Sequence, residues 1–306
     1  MDRSRDIAVL IPCHNEQQTI GKVIDDFRVQ LPAARIVVFD NCCTDETARV
    51  AREHGAEVVA VGRLGKGHVV EAMFEHADAD ICVMVDGDDT YPAEQVGDLI
   101  APVAAGEADM AVGARRAAEG GAFRPLHRAG NRLVCRLVNA VSGSRLSDIL
   151  SGYRALSRRV LDRVPVVSSG FEIETEMTIQ TLYHRMRIVE VEVAYRPRPE
   201  GSRSKLRTLR DGTRVVWKIF SLLRSFKPLT FFGSLALVLL VAAGLCLAGP
   251  VAQYVGSGRV ESLASAVIGM GLLILSGGCV FLGVLLHAMN WRLLEMHSVL
   301  TRRRRL

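Results

Sequence analysis

The stretch Ile81-Cys82-Val83-Met84-Val85-Asp86-Gly87-Asp88-Asp89 decides the fold class of this chain. A short unbroken apolar run suits a strand buried on both faces, and here acids follow at its carboxyl end. Further apolar, β-branched runs stand at Ile7–Ile11, Arg35–Phe39, Glu57–Val61 and Asp109–Val112. Between them lie helix-like stretches near Thr19–Val29, Asp45–His54, Gly67–His76 and Ala93–Ala104. Strand and helix in alternation imply an α/β domain with a mostly parallel sheet and right-handed crossovers. Ligands of such sheets bind outside the carboxyl ends of the strands.

The polar residues directly after each run are therefore the candidates for chemistry. Pro12, His14, Asn15 and Glu16 follow the first run, Asp40 and Asn41 the second, and Asp86, Gly87, Asp88 and Asp89 the fourth. A lone acid in such a place would be a helix N-cap. Clusters at equivalent ends of several strands converge in space and favour a polar, cation-binding cleft. In Asp86-Gly87-Asp88, a turn at Gly87 brings two carboxylates toward one ion. Hard oxygen ligands suit Mg²⁺ or Mn²⁺, with substrate phosphates completing the shell, and the ion would neutralise a diphosphate leaving group.

Downstream, helices are expected over Leu126–Val141 and Phe171–Met186, and a strand over Ile188–Tyr195. Arg196-Pro197-Arg198-Pro199-Glu200-Gly201-Ser202-Arg203-Ser204-Lys205 reads as a basic loop, since Pro and Gly break regular structure. Leu209–Lys227 has the pattern of a basic amphipathic helix, with Arg210, Arg214 and Lys218 opposite Val216, Phe220 and Leu223. Next to a membrane segment, such a helix suits the interface plane.

Phe231–Gly249 and Ser262–Asn290 carry no charge, and each is long enough to cross a hydrocarbon core of about 30 Å. The link between them holds Gly249, Pro250, Arg259 and Glu261. Arg224, Lys227 and Arg302–Arg305 make the flanks basic, which places both ends in the cytoplasm and the link outside. Trp217 and Trp291 flank the spans as interface anchors. The expected layout is a cytosolic domain over 1–200, a basic loop and interfacial helix over 201–228, two spans (231–249 and 263–287) within 229–291, and a basic tail over 292–306.

Composition agrees with this layout. The 306 residues are 49% hydrophobic and 23% charged, which excludes a disordered chain, and the apolar excess collects after Pro228. The net charge of +5 gathers between Arg196 and Lys227 and in the tail, which suits anionic headgroups. No nucleic acid partner is expected, since no recognition motif or stacking platform accompanies the charge. Seven cysteines without metal-ligand spacing point to a reducing compartment. The first apolar run is too short for a signal peptide, which keeps the N-terminal domain in the cytosol.

The motifs also carry a resemblance. Ile11-Pro12-Cys13-His14-Asn15-Glu16, Phe39-Asp40-Asn41-Cys42-Cys43-Thr44-Asp45, Gly65-Lys66-Gly67, Asp86-Gly87-Asp88 and Asp148-Ile149-Leu150-Ser151-Gly152-Tyr153-Arg154 stand in an order that resembles the family 2 glycosyltransferases of GT-A fold. Gly201-Ser202-Arg203-Ser204-Lys205 narrows the resemblance to enzymes like dolichyl-phosphate mannose synthase and bacterial polyprenyl-phosphate glycosyltransferases.

The resemblance implies a Rossmann-like sheet followed by an interfacial helix and a two-helix membrane hairpin. It implies that Pro12, Asn15 and Glu16 form the first nucleotide-binding loop and that Asp40, with Asn41 beside it, meets the base. Lys66 would lie near the nucleotide, and Asp86 with Gly87 would approach the ribose or metal. Asp88 would hold the metal on the diphosphate. Asp148 resembles a catalytic acid near the acceptor; as a residue alone it would equally cap the following turn. The acidic segment Glu172, Glu174, Glu176 falls near the cleft, and Arg154 reads as structural. The chain departs from the pattern at Asp40-Asn41-Cys42-Cys43, where many relatives read Asp-Asp-Gly-Ser, and at Thr90, where dolichyl-phosphate mannose synthases place Gln.

A lipid monophosphate acceptor is already an oxyanion at neutral pH and needs alignment and cations more than a base. Arg115, Arg128, Arg132, Arg203 and Lys205 are the candidates for that contact. The expected reaction is metal-dependent, inverting transfer of a hexose or N-acetylhexosamine to polyprenyl phosphate. The donor would be a nucleotide diphosphate sugar such as GDP-mannose, UDP-glucose or UDP-N-acetylglucosamine. The enzyme would sit in the cytoplasmic membrane, with a homo-oligomer compatible with its spans. The alternatives are a processive polysaccharide synthase, whose Q-x-x-R-W motif neither tryptophan supplies, and a non-catalytic scaffold, against which Asp86, Asp88 and Lys66 argue.

Overall fold

The computed structural model describes residues 6–117, 125–170, 172–199 and 227–303, with isolated positions between 217 and 225. The chain divides into two compact units, Met1–Ile219 and Phe220–Leu306.

The first unit is built on strands β1 (Ile7–Cys13), β2 (Arg35–Asp40), β3 (Glu57–Ala60), β4 (Ile81–Met84), β5 (Met110–Ala117), β6 (Arg154–Ser157) and β7 (Ile188–Tyr195). Their order in the sheet is β3-β2-β1-β4-β6-β5-β7. β1 pairs in parallel with β2 and β4, β2 with β3, and β5 with β7; β6 runs antiparallel to both of its neighbours. Chain order reverses about β1 and β4, so the carboxyl ends of β1, β2 and β4 open on one crevice.

Helices α1 (Ile20–Gln30), α2 (Thr47–Glu53), α3 (Lys66–His76), α4 (Val96–Ala104), α5 (Pro125–Ser142), α6 (Arg158–Arg163) and α7 (Ile173–Tyr183) accompany the sheet among the described residues. Alternate strand residues feed two buried layers. Val9, Ile11, Val38 and Val83 pack with Ile24 and Phe27 of α1 and Leu99 of α4. Leu10, Phe39, Cys82 and Met84 pack with Val70 and Met73 of α3 and Ile173 and Met177 of α7. Covering both faces is why the central strands read as unbroken apolar runs.

Two features of the sheet depart from the sequence expectation. β6 is absent from it, because four residues headed by an arginine carry no apolar run. β5 passes Val112, where the apolar run stops, because its pairing with β7 continues from Met110↔Ile188 to Ala117↔Tyr195.

The second unit contains α8 (Pro228–Ser257) and α9 (Leu263–Arg303). By length and composition, both are apolar enough to cross a membrane. Ser276 Oγ donates to the Ala236 carbonyl at 2.8 Å, and a Cβ on Gly269 would meet Leu247 at 2.6 Å. One on Gly283 would meet Phe232 at 3.1 Å. These contacts make the pair antiparallel. The small residues Gly269, Ser276 and Gly283 on α9 and the buried Ala236 and Ala243 on α8 let the two helices approach closely. Outward-facing Leu237, Val241, Ile274 and Phe281 are exposed. α8 runs on through Pro250 and ends at Gly258, whose φ of 68° is left-handed, so it is longer than the expected span. The expected amphipathic helix Leu209–Lys227 lies mostly outside the described residues.

Candidate active site

The site forms where β4 ends. Gly87 is required there because a Cβ would stand 2.6 Å from Cys13 Sγ of β1, and the Gly87 carbonyl accepts from Thr19 Oγ1 at 2.6 Å. Asp86 Oδ1 lies 2.7 Å from Lys66 Nζ, and the same ammonium lies 2.6 Å from Glu174 Oε1. Lys66 opens α3, and its two glycine neighbours explain how it gets there. Gly65 has a φ of 138°, and a Cβ on Gly67 would fall 1.7 Å from the Ser168 carbonyl. The 168–169 backbone thus runs directly over the helix start, and Gly67 N donates to the Ser169 carbonyl at 3.2 Å.

Burial alone would lower the Lys66 pKa, but Asp86 and Glu174 outweigh it and hold the ammonium charged. Burial likewise pushes the Asp86 carboxyl up, and Lys66 reverses this to a value below the ordinary range. Glu174 Oε2 is buried with no hydrogen-bond partner.

Asp88 behaves in the opposite way. It is 3% exposed, and burial with the nearby Asp86 charge pushes its pKa up, against Arg198 and Thr90. Its Oδ1 accepts from Thr90 Oγ1 at 2.6 Å, and its Oδ2 lies 2.5 Å from an Arg198 Nη. Two interacting hard carboxylates fit a divalent cation. Gly152 adds a cradle, since a Cβ there would stand 2.5 Å from Asp86 Oδ2 and close off that oxygen. Among the described residues no group of three or more His, Cys, Asp or Glu could hold a metal. Thr90 spends its hydroxyl on Asp88.

The expected nucleotide loops line the same crevice but divide their labour. Asp40, half-buried, accepts from Cys43 N at 2.8 Å. Asn41 is buried and committed to the chain: Oδ1 accepts from Gly65 N at 2.8 Å, and Nδ2 donates to the Arg63 carbonyl at 2.7 Å. It ties the β2 end to the loop that carries Lys66. Asn15, with a φ of 55°, accepts from Thr44 N at 2.7 Å. Glu16 N donates to Thr47 Oγ1 at 2.8 Å, and its carbonyl starts α1. Pro12 stands opposite Phe39 in the β1–β2 register.

Arg115 of β5 and Asp148 form a two-point ion pair. Nε to Oδ2 measures 2.7 Å and Nη2 to Oδ1 2.8 Å, with the Arg115 amide also donating to Oδ2 at 3.0 Å. Asn131 Nδ2 adds a bond to Oδ1 at 3.1 Å, and Glu190 accepts from the Asp148 amide at 2.8 Å. The Arg115 guanidinium also lies 5.4 Å from the Tyr195 ring centre. Asp148 is therefore locked to a cation. Arg132 is exposed on α5. The Arg128 side chain, Arg203 and Lys205 lie outside the described residues.

Arg154 is a buried brace. Its guanidinium donates to the carbonyls of Ile149 (2.6 Å), Ser151 (2.9 Å) and Glu174 (3.0 Å) and to Thr178 Oγ1 (2.9 Å). Burial lowers its pKa to about 10. It fastens the loop bearing Asp148 and Gly152 to the helix bearing Glu174. Arg198 stands in what reads from sequence as a basic loop, and Glu174 in an acidic segment; the fold singles out both, at Asp88 and at Lys66.

Comparison with known proteins gives the family of the chain. Residues 8–164 match the family described as glycosyl transferase family 2. The chain is 34% identical over 281 residues to glycosyltransferase AglJ of Haloferax volcanii, covering 91% of this chain and 92% of that one. It is 31% identical over 194 residues to a dolichyl-phosphate hexose transferase of the same organism, covering 63% and 84%. Among solved structures it is similar to glucosyl-3-phosphoglycerate synthase of Mycobacterium tuberculosis in complex with Mn²⁺, UDP and glucosyl-3-phosphoglycerate. That match has a TM-score of 0.60 and 27% identity, over 72% of this chain and 80% of that one. With its paired carboxylates at the end of β4 and these relatives along most of its length, the chain belongs to glycosyl transferase family 2 and is a glycosyltransferase of GT-A-like fold.

Proposed function

We propose that this enzyme transfers a hexose or N-acetylhexosamine, with inversion, from a nucleotide diphosphate sugar to a polyprenyl monophosphate at the cytoplasmic membrane. The observation that carries the reading is the pairing, in one chain, of the Asp86–Asp88 carboxylates with two apolar helices of membrane-spanning length. The relative named for a dolichyl-phosphate acceptor supports the lipid half, and the neighbour bound to Mn²⁺ and UDP supports the donor half. In this reading α8 and α9 span the membrane, and the first unit, the 201–228 segment and both termini lie on the cytoplasmic side.

Asp86 and Asp88 would hold Mg²⁺ or Mn²⁺, which when bound neutralises charge on the departing diphosphate. Lys66, kept charged by two carboxylates, adds a fixed cation beside Asp86 and opens a helix whose N-terminus favours anions. Pro12, Asn15, Glu16, Asp40 and Asn41 shape the nucleotide side, with Asn41 acting through the Lys66 loop. Arg115, oriented by Asp148 and Tyr195, would meet the acceptor phosphate, with Arg128, Arg132, Arg203 and Lys205 as its further candidate contacts. A phosphate oxyanion attacks without a general base, so Asp148 serves as the partner that aims Arg115.

The test is a donor screen. Purified protein in detergent, with Mn²⁺ and a polyprenyl phosphate, is given GDP-mannose, UDP-glucose or UDP-N-acetylglucosamine, and lipid-linked sugar is followed by mass. Product from one donor names the sugar. Donor turnover without lipid product rejects the acceptor. A phosphorylated small acid, the acceptor chemistry in the name of the structural neighbour, is then the second reading.

A further inference from the structure

One oxygen of Asp88 is already held by a cation of the chain itself. An Arg198 Nη lies 2.5 Å from Asp88 Oδ2, with the Asp88 side chain 4% and the Arg198 side chain 27% exposed. The other oxygen is taken by Thr90. The segment that carries Arg198 is docked on the same loop at two further points. Arg196 N donates to the Thr90 carbonyl at 2.9 Å, and the Arg196 guanidinium lies 3.2 Å from Glu94. Strand β7 thus continues into an arm pinned across residues 88–94.

We propose that Arg198 is the resident counter-ion of the metal site, displaced from Asp88 when a divalent cation binds there. A guanidinium and a divalent ion at one carboxylate oxygen repel each other at short range, and a nearly buried group has little water to screen them. Arg198 balances the Asp88 charge until the metal arrives. Its displacement removes one of the contacts that dock the arm. Metal occupancy and the placement of residues 196–199 are therefore linked, and the linkage is reciprocal: whatever draws Arg198 away tightens metal binding. The inference rests on Asp86 and Asp88 being the metal ligands.

The test is Mn²⁺ binding to the full chain in detergent without nucleotide, read from the loss of the free-ion EPR signal. Arg198→Gln is expected to bind Mn²⁺ roughly fivefold more tightly than wild type, the lower end of common coupling strengths. Arg198→Lys should fall between the two. Arg196→Ala, which keeps Asp88 and Arg198 but removes the Arg196–Glu94 ion pair and so loosens the docked arm, should also bind more tightly. Wild-type binding with no tightening in Arg198→Gln or Arg196→Ala overturns the counter-ion role, and weaker binding in Arg198→Gln makes Arg198 a strut for Asp88. If wild type and Asp88→Asn bind equally, the assignment of the metal ligands itself fails, and this inference with it.

Discussion

Arg115 grips the Asp148 carboxylate at two points, 2.7 and 2.8 Å apart, and takes the same carboxylate with its backbone amide at 3.0 Å. The pair is nearly buried. In the proposed reaction this arrangement lets Asp148 aim a cation.

Removing one partner of such a pair leaves an uncompensated charge, so Asp148→Ala should lose about 3 kcal/mol of stability or more. Asp148→Asn keeps one acceptor for Arg115 and should act mainly by raising the KM for the acceptor, with no limb of the pH–rate profile removed. Steady-state kinetics against pH check this. Disappearance of the acid limb in the mutant would make Asp148 a general base instead.

Asp88 yields a pH signature of stability. Its folded pKa is raised, so the fold favours the protonated form. The ionised group therefore costs stability above the raised value, and the cost disappears as pH falls through that value toward the ordinary 3.9 or so. Metal-free Asp88→Asn should melt above wild type at neutral pH, and the difference should close on acidification. Asp86 has the opposite sign. Its pKa is lowered, so its contribution is full above the ordinary carboxylate value and is lost only as pH falls through the depressed one.

Gly67→Ala should be costly, because the added methyl would meet the Ser168 carbonyl at 1.7 Å and push back the start of α3. A loss of about 2 kcal/mol, with weakened donor binding, is expected from overpacking of this kind. Gly97→Ala in α4 has open space around it and should instead gain about 0.5–1 kcal/mol. Thermal melts of the two variants side by side check the contrast.

In the hairpin, Gly269→Ile should lower the melting temperature in detergent, since its Cβ would stand 2.6 Å from Leu247. Gly271→Ile, two residues on with nothing within contact, should leave it unchanged.

The central sheet and the Asp86–Asp88 pair were legible for one physical reason. Strands covered on both faces write continuous apolar runs, and the acids at their ends stand out against them. β6 was not legible, because a four-residue strand between β4 and β5 owes its place to its neighbours. Asn41 reads as a nucleotide contact by position, yet its amide is consumed by residues 63–65, a fact only the fold supplies. Glu174 falls on the other helix face from Glu172 and Glu176, and that face is the one that meets Lys66. Arg198, flanked by prolines in a basic run, reads as a headgroup contact, because nothing local announces a partner as distant in sequence as Asp88.

The most direct test of the account is the fate of the sugar. A labelled donor is offered polyprenyl phosphate in detergent together with 3-phosphoglycerate, and label is followed into organic and aqueous phases, with Asp88→Asn in parallel. The account predicts label in the lipid fraction that is lost in the mutant. Label confined to an aqueous phosphorylated product would contradict it.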